Sequence, residues 1–259
     1  MVYFSRSDFL AVKTSRANTS QSPDFEQVYE KFSNLYEALN IQIRNQNLVL
    51  ATHHHERQSA IQMSSIISTQ TQDRDALVVD YARPVSDAIR VERLMGRDEV
   101  SSKREIEIQR HPAIELRITP EHLTLELILS IDAWWDQENL VGKLTVERHR
   151  LLFYKMLREL DGAYYLGFWR GTQLSEMHVS AKQFQYNSIL DEWLGTFEPR
   201  KDWFRLGIWY EPEADELEVP EIHTELFKQV KALFSIYHFL LWSSENNYRD
   251  FFHKQSSAT

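Results

Sequence analysis

Between His111 and Ile131 the chain reads HPAIELRI, then TPEH, then LTLELILSI, and this stretch leaves little freedom. Ile114, Leu116 and Ile118 alternate with Glu115 and Arg117. Leu123, Leu125, Leu127, Leu129 and Ile131 continue the alternation. A strict period of two places successive side chains on opposite faces, so both segments read as half-buried strands. Four residues join them, with Pro120 where a type I turn favours a fixed φ. The expected object is a β-hairpin with its aliphatic rows packed inward and its glutamates wet.

Closing that hairpin through Thr119–His122 sets its register. Ile118 then faces Leu123, Leu116 faces Leu125, and Glu115 lies opposite Glu126. Directly opposed like charges disfavour pairing by roughly 0.2–1 kcal/mol. Something must offset them: Arg117 on the diagonal, a base from the next strand, or a bound cation. Residues 105–109 alternate again and are expected to add a strand beside the hairpin, bringing Glu105 and Glu107 towards the same face.

Helical spacing brackets this region. Ser22 reads as an N-cap, with Pro23 in the first turn and Phe25, Val28, Tyr29, Phe32, Leu35, Tyr36 and Leu39 on one face. Near the other end, Pro220 opens a helix with Ile222, Leu226, Val230, Leu233, Phe234, Tyr237, Leu240 and Leu241 inward. Residues 84–95 suit a helix that Gly96 stops. Residues 132–144 and 145–160 suit two more, the second burying Leu152, Met156, Leu157 and Leu160. A short helix fits 189–194. Strands fit 47–52, 76–80, 164–169, 178–184 and 203–210. Strands come in hairpins, without regular strand–helix alternation. The expected fold class is α+β, a mostly antiparallel sheet packed by long N- and C-terminal amphipathic helices. Residues 1–22 are expected to be an N-terminal segment and flexible connector, 23–254 a single α+β domain, and 255–259 a frayed tail. Any subdomain boundary falls near Ser101.

Composition narrows the chemistry. There is no cysteine, which excludes disulfides, thiolate metal sites and cysteine nucleophiles. Net charge is −9, and basic and acidic residues nearly cancel even in the most basic stretch, 83–117. That balance speaks against a phosphate-backbone partner. The first residues hold no apolar run of signal-peptide length. Ile236–Trp242, the most hydrophobic stretch, is too short to span a bilayer. A cytoplasmic protein with no membrane partner is the expectation. With only seven glycines there is no glycine-rich phosphate loop. Gly162 and Gly167 have a suggestive spacing, but Phe168 and Trp169 stand where lysine and a hydroxyl residue are required. Gly-x-Ser-x-Gly is also absent.

Three groups of side chains are candidates for chemistry. His53 and His55 flank His54 at a strand end and would share one face, where a divalent ion such as zinc could sit. The His-Glu-x-x-His pattern is not met, since position 59 is Ser59. Glu115 and Glu126, with Glu107 or Glu105, form a carboxylate cluster of the kind that holds magnesium in phosphoesterases and nucleases. No acidic residue is followed two positions later by lysine, which one widespread nuclease pattern requires. The third group is aromatic. Trp134-Trp135, Tyr164-Tyr165, Phe168-Trp169, Trp203-Phe204 and Trp209-Tyr210 are adjacent pairs. In a strand one ring of each pair must leave its partner's face. Trp169, Arg170, Trp209 and Tyr210 are the binding residues this suggests, the arginines stacking on rings or on a planar ligand.

Two readings follow, and neither requires a resident cofactor unless the metal alternative holds. In the first the chain is a non-enzymatic interaction or regulatory protein. It presents an aromatic-rich surface to a protein partner or, as a homo-oligomer, to itself, and the acidic turn 211–218 suits a basic partner. The alternative is a magnesium- or zinc-dependent phosphoesterase or nuclease built on the sheet-face carboxylates. A weaker third reading places a small-molecule pocket near Trp169 and Trp209.

Overall fold

The structure, a computed structural model, describes residues 3–14, 22–52, 60–63, 65–68, 76–96, 106–160 and 163–248. Among these residues there are seven strands: β1 (Ala51–Thr52), β2 (Leu77–Ala82), β3 (Ala113–Ile118), β4 (Leu123–Leu129), β5 (Tyr164–Gly167), β6 (His178–Ser180) and β7 (Phe204–Tyr210). They form one sheet in the order β1-β2-β3-β4-β7-β5-β6. Every neighbouring pair is antiparallel. The helices are α1 (Arg6–Thr14), α2 (Pro23–Asn45), α3 (Val85–Leu94), α4 (Trp134–Leu144), α5 (Glu147–Arg158), α6 (Asn187–Gly195) and α7 (Ile222–Leu240). The fold is α+β, as the patterning requires.

The hairpin closes in the expected register, with Ile118 opposite Leu123, Leu116 opposite Leu125 and Glu115 opposite Glu126. Its turn is held by the Thr119 N–H, which donates to the His122 carbonyl at 2.8 Å, while the Thr119 hydroxyl accepts from the His122 N–H. Ile114, Leu116, Ile118, Leu123, Leu125, Leu127 and Leu129 all enter the main core. Leu77, Val79 and Tyr81 of β2 and Phe204, Leu206, Ile208 and Tyr210 of β7 extend that face. Val28, Phe32, Leu35 and Leu39 of α2 and Leu226, Val230, Leu233 and Tyr237 of α7 cover it. Helix α2 starts as its letters dictate: the Ser22 hydroxyl accepts from the Phe25 N–H at 3.2 Å, and Pro23 occupies the first turn. Gly96, at φ +81°, follows α3 in the left-handed conformation that ends helices.

The opposite face of the sheet departs from expectation. Glu115 and Glu126 are 0% and 1% exposed, so they are not wet. Residues 60–63 and 65–68 and the segment after β5 lie over them. Gln62 bridges Val78 by paired backbone hydrogen bonds, and Ile67 packs with Ile128 and Trp203 in a small second core. A period-two pattern reports which residues share a face. It cannot report that a distant segment will cover the polar face too.

Smaller differences have similar causes. The strand beside β3 is β2; Ile108–Arg110 is a short 3-10 turn. Glu107 is therefore off the sheet, bonded to Arg110 at 2.7 Å, and Glu105 lies outside the described residues. In α5 the buried residues are Phe153, Tyr154 and Leu157, while Leu152 is exposed: Phe153 stacks on Phe239 of α7, and the Tyr154 hydroxyl donates to Asp191 of α6 at 2.6 Å. Residues 6–14 form a helix that buries Phe9 and Val12, although the sequence reading gives them no helix. Most of the connector before Ser22 lies outside the described residues.

Candidate functional site

Three carboxyls stand in one row across the sheet, because Asp80 of β2 pairs with Glu115 and Glu115 with Glu126. The next position in that row, on β7, is Gly207. Arg117 follows Glu115 on the same face of β3, and Arg205 and Trp209 flank Gly207 on β7. The result is an alternating ladder. Arg117 donates to Glu115 through Nη1 and to Glu126 Oε2 through Nη2, the latter at 2.7 Å. Arg205 Nη2 donates to the same Glu126 oxygen at 2.6 Å, and Trp209 Nε1 to the other at 3.2 Å. Ser65 Oγ donates to Glu115 from the covering segment, at 2.6–2.7 Å from its two oxygens.

Rings close the ladder from outside. The Arg205 guanidinium lies 4.4 Å from the centre of the Trp169 ring and 5.5 Å from that of Trp209, and donates to the Gly171 carbonyl at 2.6 Å. Arg117 lies 5.6 Å from the Trp209 ring centre. Two glutamates and two arginines balance, with no net charge left over. Burial pushes the Glu126 carboxyl up, but the charges of Arg205 and Arg117 outweigh it and hold Glu126 below the usual carboxylate range. Arg205 moves the other way: burial lowers it, and Glu126 only partly restores it. Asp80 is raised well above the usual carboxylate range, first by burial and then by the neighbouring charge of Glu115. The third carboxyl therefore favours its neutral form.

This geometry explains where the suggested residues fall. Glu115 and Glu126 come together, joined by Asp80 rather than Glu107. They face arginines, not an open cleft. Among the described residues no three histidines, aspartates or glutamates converge so as to hold a metal ion. His53 and His55 lie outside the described residues. Of the aromatic set, Trp169 is half-buried over Arg205, and Arg170 is exposed, donating to the Ser68 carbonyl at 3.1 Å. Trp209 and Tyr210 are buried on opposite faces of β7, so these four residues do not share one surface.

A different aromatic cluster reaches the surface. At the start of α4 the Trp134 and Trp135 ring centres lie 5.5 Å apart, and Trp135 meets Trp242, just beyond α7, at 4.4 Å. All three rings are partly exposed. Their mounting is rigid. The Trp242 N–H donates to Asp136 Oδ1 at 2.6 Å, and its carbonyl accepts from Arg83 Nη1 at 3.1 Å. Arg83 and Asp136 are themselves a buried ion pair at 2.6 Å. Arg200 completes the cluster, its guanidinium 4.2 Å from the Trp134 ring centre. Its backbone is held at φ +69° by a 2.6 Å bond from its N–H to Gln137 Oε1. The Trp134-Trp135 doublet is visible in the letters. Trp242 and Arg200, distant in sequence, have no local signal that would join them to it.

Among the described residues no helix is long and apolar enough to cross a membrane. No known family model matches the chain, and no curated protein matches it either.

Proposed function

We propose that this chain is a non-enzymatic interaction protein whose binding surface is the indole cluster of Trp134, Trp135 and Trp242 with Arg200. The observation that carries this reading is the clamp on Trp242, whose backbone N–H and carbonyl are both held by the buried Arg83–Asp136 pair. Partly exposed indoles fixed from beneath lose little conformational freedom when a partner covers them. Tryptophan and arginine are also the residues most enriched at interface hot spots. The partner is another protein or a second copy of this chain.

Size measurement of the native chain together with affinity capture tests the reading, using Trp135→Ser and Arg200→Ala as surface variants. A dimer or a captured partner that both variants release, while their melting temperatures stay close to the parent's, supports it. A strict monomer that captures nothing, or a complex indifferent to both variants, overturns it.

The phosphoesterase reading draws support from the third carboxyl, Asp80, in the row with Glu115 and Glu126. It requires Arg117 and Arg205 to give up Glu126, and each loss would leave a buried charge unpaired. Magnesium-dependent hydrolysis of a phosphodiester that Glu126→Gln abolishes would favour it over the interaction reading.

A further inference from the structure

A cleft with a volume of about 460 Å³ opens where β7 ends, lined by Ile208, Tyr210, Glu211, Glu216, Glu225 and Gln229 among others. That volume is within the range of small-ligand sites. Its wall is organised. Glu225 and Gln229 sit one turn apart on α7. The Tyr164 hydroxyl donates to Gln229 Oε1 at 2.6 Å, and Gln229 Nε2 donates to Glu225 Oε1 at 2.5 Å. A relay from the core thus orients the Glu225 carboxylate.

Tyr210 is 4% exposed, and its hydroxyl has no hydrogen-bond partner. Burial, followed by the charges of Glu225 and Glu216, raises its pKa, and all three residues line the same cleft. An unpartnered buried hydroxyl is uncommon and costs stability unless something satisfies it. Among the described residues Glu211 and Glu216 form no ion pair. Glu213, also in the lining, pairs only at the surface with Arg6, at 3.2 Å.

The carboxylates ring the cleft without converging, and no metal-holding group exists among the described residues. The same lining includes the aliphatic side chains of Ile208, Ala163 and Ala214. Spaced negative charges separated by apolar surface complement a methylene chain bearing ammonium groups better than they complement a compact ion. We propose that this cleft binds an aliphatic ammonium ligand, with the carboxylate of Glu225 and the hydroxyl of Tyr210 accepting from the ammonium and the methylene chain running along Ile208. This site is independent of the indole cluster and stands or falls without it.

Titration calorimetry on the full chain tests the proposal, with 1,4-diaminobutane, spermidine and a blocked Ala-Lys-Ala peptide as probes. Butane-1,4-diol serves as the uncharged isostere and magnesium chloride as a compact divalent ion. The amines bind and the diol does not. Glu225→Gln weakens binding by about tenfold or more, the loss of one charge-assisted hydrogen bond. Glu216→Gln, an exposed change without folding risk, weakens it by a smaller factor, and Tyr210→Phe weakens it while leaving the glutamates in place. Tighter binding of the peptide assigns the ammonium to a protein's lysine, and tighter binding of spermidine assigns it to a free amine; both support the site. No heat with any amine overturns it. So does equal binding of the diol, full competition by equimolar magnesium, or unchanged affinity in both glutamate variants.

Discussion

Glu126 lies over Gly207, its partner across the β4–β7 pairing, in the space a side chain there would fill. A methyl group on Gly207 would stand 2.6 Å from the Leu125 carbonyl oxygen and closer still to Glu126 Cγ. Glycine in mid-strand normally weakens a sheet. Here it lets a carboxylate lie flat between Arg117 and Arg205.

Gly207→Ala therefore unfolds at lower denaturant than the parent, with a loss of about 1–3 kcal/mol as expected for overpacking. Urea titration measures it. An unchanged midpoint would mean that Glu126 can leave its position freely.

Removing one rung of the ladder costs more than the rung contributes. Arg117→Met leaves the buried Glu115 without a counter-charge and Glu126 with Arg205 alone, and should destabilise by about 3–5 kcal/mol. Replacing Arg117, Glu115, Glu126 and Arg205 together by apolar residues of similar volume, which leaves no member of the ladder as an unpaired charge, should recover most of that loss. Chemical denaturation of the two variants makes the comparison. A single variant as stable as the parent would show that the network is not closed.

Asp80 gives a pH signature of defined sign. Its folded pKa is raised by burial and by Glu115, so its stabilising contribution is full at acid pH. As pH rises past the ordinary carboxylate range, the unfolded chain releases its proton first and stability falls until the folded group also titrates. Asp80→Asn lacks that fall. The stability difference, variant minus parent, should grow in favour of asparagine between pH 4 and pH 7.5. Urea midpoints at the two pH values measure it, and a constant difference contradicts the assignment.

Lys143 gives a signature at the other end of the scale. Burial lowers its pKa to about 8, with Asp136 opposing, although its ammonium donates to the Phe239 carbonyl and Asn246 Oδ1, both at 2.5 Å. Between pH 8 and the ordinary lysine value near 10.5, the unfolded chain keeps a proton that the folded chain has lost. The parent should therefore gain stability relative to Lys143→Met as pH rises through that window. Parallel melting curves across it decide the matter.

The letters of residues 111–131 were enough to pair Glu115 with Glu126, because parity and a four-residue turn leave one register. They were enough for the starts of α2 and α7, where a cap and a proline act within a single turn. Arg117 as the counter-charge is also legible, lying two residues from Glu115. Asp80, Ser65 and Arg205 are not: they come from 35, 50 and 90 residues away in the chain. Nothing in an alternating pattern says which distant strand will lie alongside.

What local sequence decided on its own is the periodicity of each element and the face on which each side chain falls, since both follow from backbone geometry and near neighbours. What needed the tertiary structure is whether the polar face meets water or a second layer. Period-two alternation looks the same in both cases. The difference depends on long-range burial by residues 60–63, 65–68 and 169–171, which turns a row of surface glutamates into a sealed ion ladder, while the indoles of Trp134, Trp135 and Trp242 stay partly exposed.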